Sequence, residues 1–160
     1  MLKRILSAST TAAALMLLAA APAQPSEGQK IQVKGEVIDT WCYFSGVMGG
    51  PESVVGTAHH TCALWCAAGG IPVGILADDG TVYMVIKWEG NGDVAGENLL
   101  HVQSHEVEAE GILHERDGMK YLIVEKVIRD NGIVNLNHED FGVIPGFAIP
   151  KKVVNAVTGG

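Results

Sequence analysis

Apolar and polar positions alternate along two long stretches of this chain. Residues 31–40 (IQVKGEVIDT) alternate well at first, and residues 106–114 alternate as VEAEGIL. A two-residue period sends successive side chains to opposite faces and predicts strands. Residues 72–76 and 81–87 flank the turn Ala77-Asp78-Asp79-Gly80. Residues 120–128 follow a turn at Arg116-Asp117-Gly118, so both pairs read as hairpins. Gly35 interrupts the first strand, as an interior glycine does at a bulge or a barrel bend. Residues 58–68 read instead as a short helix, with Thr57 as N-cap, Gly69-Gly70 as its stop and Pro72 just beyond. Residues 44–56, rich in glycine and containing Pro51, read as a loop. Residues 88–98 form a second loop, and residues 99–104 a short helix or irregular chain.

Five strands with a middle and a terminal hairpin close most naturally into a small barrel. Closure buries one face of each strand and leaves no long edge. The expected class is mainly β: a five-stranded OB-like barrel, a short Cys/His-bearing helix inserted after the first strand, and an irregular C-terminal wrap. The divisions are a signal peptide over 1–23, a loose leader over 24–30, the barrel with its insertion over 31–130, and an extension over 131–160. In that extension Phe141, Val143, Ile144, Phe147 and Ile149 are interrupted by Pro145, Gly146 and Pro150. It reads as a wrap over the barrel or as a partner-binding surface.

The N-terminal segment changes the picture of where the protein works. Lys3 and Arg4 precede an apolar stretch that ends at Ala21-Pro22-Ala23, a small-x-small cleavage pattern making Gln24 the first mature residue. The apolar core is shorter than the roughly 20 residues of a spanning helix, and no later run is long enough either. The expectation is export to the periplasm, with no membrane span in the mature chain. The 160 residues carry 11 Lys+Arg against 18 Asp+Glu, a formal charge of −7. Removing Lys3 and Arg4 makes it more negative still. That sign disfavours nucleic acid.

Candidate chemistry is concentrated in one place. Cys42, Cys62 and Cys66 fall within 25 residues of one another, with His59 and His60 among them. Cys62 and Cys66 are four apart and share a helical face, and His59 lies three before Cys62 on the same stripe. His60 points about 100° away. Cys42, at the end of the first strand, must be brought over by the glycine loop. A Cys3His set of Cys42, Cys62, Cys66 and one of His59 or His60 is thus feasible. β-Carbons four apart on a helix stand about 5–6 Å from each other, wider than the roughly 3.5–4.5 Å of a disulfide. Two thiolates can meet at one ion without closing that gap. Thiolate with imidazole suits zinc, and thiolate-rich sites also suit Cu(I), so the expected cofactor is copper or zinc. Two alternatives stand beside metal. One is a structural disulfide of Cys42 with Cys62 or Cys66, as an oxidising compartment favours; the other is a redox pair of Cys62 and Cys66.

The strings Cys42-Tyr43-Phe44-Ser45-Gly46-Val47-Met48, Gly56-Thr57-Ala58-His59-His60-Thr61-Cys62-Ala63-Leu64-Trp65-Cys66 and Gly69-Gly70-Ile71-Pro72 resemble a group of exported bacterial proteins. Those proteins carry a C-Y-x2-G-V-M … H-x-C-A-x2-C-x2-G-G-I-P signature. The resemblance covers residues 35–80 and implies a shared site. Its histidine maps to His60, whereas helical spacing prefers His59.

Other residues carry weaker signals. His101 and His105, four apart with Glu106 and Glu108 nearby, could form a second metal site or a polar turn. His138-Glu139-Asp140 could be an acid–base cluster or a solvated turn. Asp39 could hydrogen-bond a ligand histidine or simply end a strand. Met48 could add a thioether to a Cu(I) site. Trp41, Tyr43 and Trp65 are expected in the core, with Trp65 packing the helix onto the barrel. No nucleophile elbow, P-loop or dinucleotide fingerprint is present, so no catalytic residue is assigned. The expected role is a periplasmic metal-binding accessory protein, supporting an exported redox enzyme or serving a metal-delivery partner. A thiol–disulfide redox protein and a disulfide-stabilised interaction module are the alternatives.

Overall fold

The computed structural model describes residues 27–89 and 97–138. The expected signal peptide and most of the C-terminal extension lie outside the described residues.

Five strands close into a barrel: β1 (Gln29–Asp39), β2 (Val73–Ala77), β3 (Val82–Trp88), β4 (Glu106–Arg116) and β5 (Met119–Asp130). Their order around the barrel is β1-β2-β3-β5-β4 and back to β1. All neighbours are antiparallel except β3 and β5. This is the OB-like barrel that the alternation predicts, with each strand starting or ending within two residues of its predicted bounds. The first strand serves two partners. Gln29 through Glu36 face β4, and Gly35 through Asp39 face β2. Gly35 sits at the handover, where a β-carbon would overlap the Leu76 carbonyl oxygen. It therefore permits a close approach of strands rather than marking a bulge. The register irregularities fall in the β4–β5 pairing, at Glu108/Ala109 and Glu110/Gly111, and in the β3–β5 pairing, between Val85 and Lys87.

Inward-facing residues fill the barrel: Val33 and Val37 from β1, Val73 and Ile75 from β2, Val85 and Trp88 from β3, Val107 and Ala109 from β4, Leu122 and Val124 from β5. Aliphatic and β-branched side chains dominate, as a pleated, half-buried surface favours. The connection between β3 and β4 brings a single helical turn, α3 (Glu97–Leu100), whose Leu99 and Leu100 join this core together with Val102.

The insertion between β1 and β2 is more helical than the sequence predicts. The chain forms α1 (Thr40–Ser45), a 3-10 turn over Pro51–Val54, and α2 (Gly56–Ala68). Thr57 is not the N-cap of α2, because the helix already begins at Gly56 behind Val55, which offers no capping side chain. The free N–H groups of the first turn are satisfied from distant parts of the chain. Gly56 N–H reaches Glu36 Oε1 at 2.5 Å, Thr57 N–H reaches the Asn135 carbonyl at 3.0 Å, and Ala58 N–H reaches Asn137 Oδ1 at 3.1 Å. Residues 131–138 thus lie across the start of α2 as the first part of the expected wrap. Along α2, His59, Ala63 and Ala67 are buried four residues apart, and Ala67 enters the barrel core.

Candidate metal centre

Strand β1 ends on Asp39, and the chain turns at once into α1. Asp39 is the N-cap: its Oδ1 accepts the N–H groups of Trp41 at 2.8 Å and Cys42 at 3.4 Å. The cap fixes Cys42 within the first turn of a helix and buries it to 3% exposure. Cys42 is therefore placed by an aspartate, not carried across by the glycine loop as the sequence predicts. Helix α2 supplies the other two thiols, with Cys62 and Cys66 Sγ atoms 4.0 Å apart. A carboxylate oxygen of Asp39 and the sulfurs of Cys42, Cys62 and Cys66 all lie within 4.8 Å of one another. Among the described residues no second group of this kind forms. This group could hold a metal ion.

His59 stands behind Asp39. Its Nε2 is 3.3 Å from Asp39 Oδ2, and its side chain is 1% exposed. An ionised carboxylate only accepts, so Nε2 donates. The other ring nitrogen, Nδ1, is buried with no hydrogen-bond partner among the described residues. His59 orients the carboxylate, and Asp39 takes the place beside the sulfurs that the sequence reading reserved for a histidine. His60 is half-buried and outside the group.

Charge organises the site. Burial pushes the Asp39 carboxyl up, but hydrogen bonds from His59, from the Cys42 and Cys66 thiols and from the Trp41 N–H outweigh it and hold it down at about 2. The thiols are moved the other way. Burial, then the hydrogen bond to Asp39 and its negative charge, then Cys62, raise Cys42 to about 12. The same causes raise Cys66. In the absence of a cation these two are neutral S–H donors aimed at a buried carboxylate. A binding cation must displace their protons, since the thiolate is the ligand.

The remaining sequence candidates fall apart from this cluster. His105 Nδ1 pairs with Asp130 Oδ1 at 2.8 Å, while His101 lies in the turn after α3, so no helix aligns the two histidines. The backbone N–H of His138 donates to Thr57 Oγ1 at 3.1 Å, and Glu139 and Asp140 lie outside the described residues. Met48 is exposed, in the turn after α1. The expectation of buried tryptophans is overturned. Trp41 is 59% exposed, since α1 buries Thr40 and Cys42 instead, and Trp65 is 54% exposed, since the buried stripe of α2 runs through His59, Ala63 and Ala67. Tyr43 is half-buried, with its ring edge-on to the exposed Phe44. Asp39 as a member of the cluster is what sequence reasoning missed. Its signal is an aspartate three residues before a cysteine, the spacing of an N-cap to the first helical turn.

A closed β-barrel bearing a sulfur-rich, carboxylate-containing cluster on an inserted helical face defines the class of protein. Comparison with protein-family models, with curated proteins and with solved structures gives no match. Among the described residues no helix is long and apolar enough to cross a membrane.

Proposed function

We propose that this protein is a periplasmic metal-binding accessory protein that takes copper or zinc at Cys42, Cys62, Cys66 and Asp39. The observation that carries the reading is the convergence of four donor atoms from two helices and a strand end within 4.8 Å. A tetrahedral ion with metal–sulfur bonds of about 2.3 Å needs sulfurs about 3.8 Å apart. The 4.0 Å between Cys62 and Cys66 Sγ is close to that. The carboxylate suits zinc, while Cu(I) would rest on the three sulfurs alone and leave Asp39 on His59. The signal-peptide pattern and the resemblance to exported bacterial proteins support a periplasmic location. A role beside an exported redox enzyme or a metal-delivery partner is part of the same proposal. The test is titration of the reduced protein with Zn(II) and with Cu(I), read by metal analysis and thiol blocking. One equivalent should protect three thiols, and Cys62→Ser should lower the stoichiometry. Unchanged stoichiometry in that variant overturns the reading.

The 4.0 Å between Cys62 and Cys66 also favours a second reading, as a dithiol. Forming their disulfide would release two electrons and two protons to a disulfide partner, which would be reduced. A reversible potential near that of the compartment, with exchange by a thioredoxin-like protein, would support it. A permanent disulfide without exchange would leave only an interaction module stabilised by its cross-link.

A further inference from the structure

Among the described residues, charge is nearly absent along the helical insertion. Residues 40–72 contain one ionisable acid, Glu52, and no Lys or Arg. The same segment exposes Trp41, Phe44, Val47, Met48 and Trp65, half of the large hydrophobic side chains exposed among the described residues. Trp41 directly precedes Cys42, and Trp65 directly precedes Cys66, whose sulfurs converge. Each tryptophan is thus the chain neighbour of a cysteine in one cluster, on two different helices, and both are exposed. Phe44, one turn beyond Trp41, overhangs a groove of about 380 Å³ whose walls include Val82, Met84 and Met119.

From this face we infer a symmetric dimer of the chain, formed across the tryptophans. Charge selects the occupant. The protein has a formal charge of −7, so two copies repel each other over most of their surface. The insertion is the face on which they can meet without opposing like charges. Area is consistent with this. Three aromatic side chains, each about half exposed, with Val47 and Met48 supply on the order of 500 Å². That is more than half of the roughly 800 Å² each partner contributes to a standard interface. A two-fold axis places the same patch on both copies, so a tryptophan of each copy can enter the other's groove beside Phe44 and close the pair. The half-buried Cys62 and Cys66 would then lie beneath the interface. The inference stands independently of metal binding.

Sedimentation of the intact reduced chain, from micromolar to hundreds of micromolar, tests it. The wild type should pass from monomer to dimer, and added salt should not weaken the dimer. Trp65→Ser should raise the dissociation constant at least about tenfold, as truncating a central aromatic anchor does. Circular dichroism should show Trp65→Ser folded. Ile128→Ser, at an exposed position of β5 nine residues along the strand from the groove wall at Met119, should dimerise like wild type. A wild type that stays monomeric at the highest concentration overturns the inference, whether another protein or another part of this chain covers the face. A dimer that salt dissociates, or one that survives Trp65→Ser and Trp41→Ser together, overturns it as well. Metal stoichiometry in the same samples reports separately on the proposed function.

Discussion

Replacing Asp39 by asparagine separates the two tasks of this side chain. Asparagine caps a helix about as well as aspartate, so the N–H groups of Trp41 and Cys42 keep an acceptor. What disappears is the negative charge toward which His59 and the Cys42 and Cys66 thiols point. In the folded protein Asp39 is held at about 2 against an ordinary value of 3.8. At about 1.4 kcal/mol per pKa unit, folding stabilises the ionised form by about 2 kcal/mol. Because the folded value is the lower one, this contribution is complete above about pH 4 and is lost as pH falls toward 2. A loss of that size should lower Tm at neutral pH by about 4–8 °C. Thermal unfolding of metal-free wild type and Asp39→Asn under reductant, followed by circular dichroism from neutral pH downward, reads both the gap and its closure. Equal Tm values at neutral pH would refute the reasoning. So would a gap that stays constant down to pH 2, since it would then owe nothing to the carboxylate's charge.

Metal affinity should rise steeply with pH. Binding through three thiolates releases up to three protons, and the folded apo protein holds those of Cys42 and Cys66 firmly, so competition with a chelator should show up to about a thousandfold gain per pH unit near neutrality. Gly111→Ala should cost about 1–3 kcal/mol, visible as a lower urea midpoint, because its β-carbon would overlap the Ile123 carbonyl oxygen across β4 and β5. Trp88→Ala should cost about 3–5 kcal/mol by the same assay, since Trp88 is among the largest fully buried side chains. Asn137→Ala removes the acceptor of the Ala58 N–H and should cost about 1 kcal/mol, speeding amide exchange in the first turn of α2 about fivefold.

The barrel was legible because its signal is repetitive. Val33, Val37, Val107 and Ala109 recur at alternate positions, and Asp78-Asp79-Gly80 and Asp117-Gly118 punctuate the hairpins, so strands and their order followed from pattern alone. The insertion was not legible in the same way. Helix α1 is six residues long and contains Trp41, Tyr43 and Phe44. Such a segment has little helix propensity of its own, and the cap on Asp39 decides it. Three cysteines and two histidines marked the neighbourhood of the site. Which side chains converge depended on contacts between β1 and α2, twenty residues apart at Asp39 and His59. Spacing on one helix could not reveal that partner. The tryptophans misled because aromatic residues near cysteines look like core. The small residues Ala63 and Ala67 do the packing instead, and they let α2 lie close to the barrel while Trp65 faces outward.

The capping of α2 from afar sets a schedule. Its first turn depends on Glu36, which precedes it in the chain, and on Asn135 and Asn137, which follow it by about eighty residues. A polypeptide is made from its N terminus. Cys62 and Cys66 therefore emerge long before the residues that fasten the helix carrying them. Until then the first turn of that helix lacks the acceptors that Asn135 and Asn137 supply. Only when the stretch through Asn137 arrives can the barrel, the helix start and the sulfur cluster lock together. Assembly of the site is thus a late event in the life of the molecule, and a chain cut short after β5 would lose the clasp while keeping every cysteine.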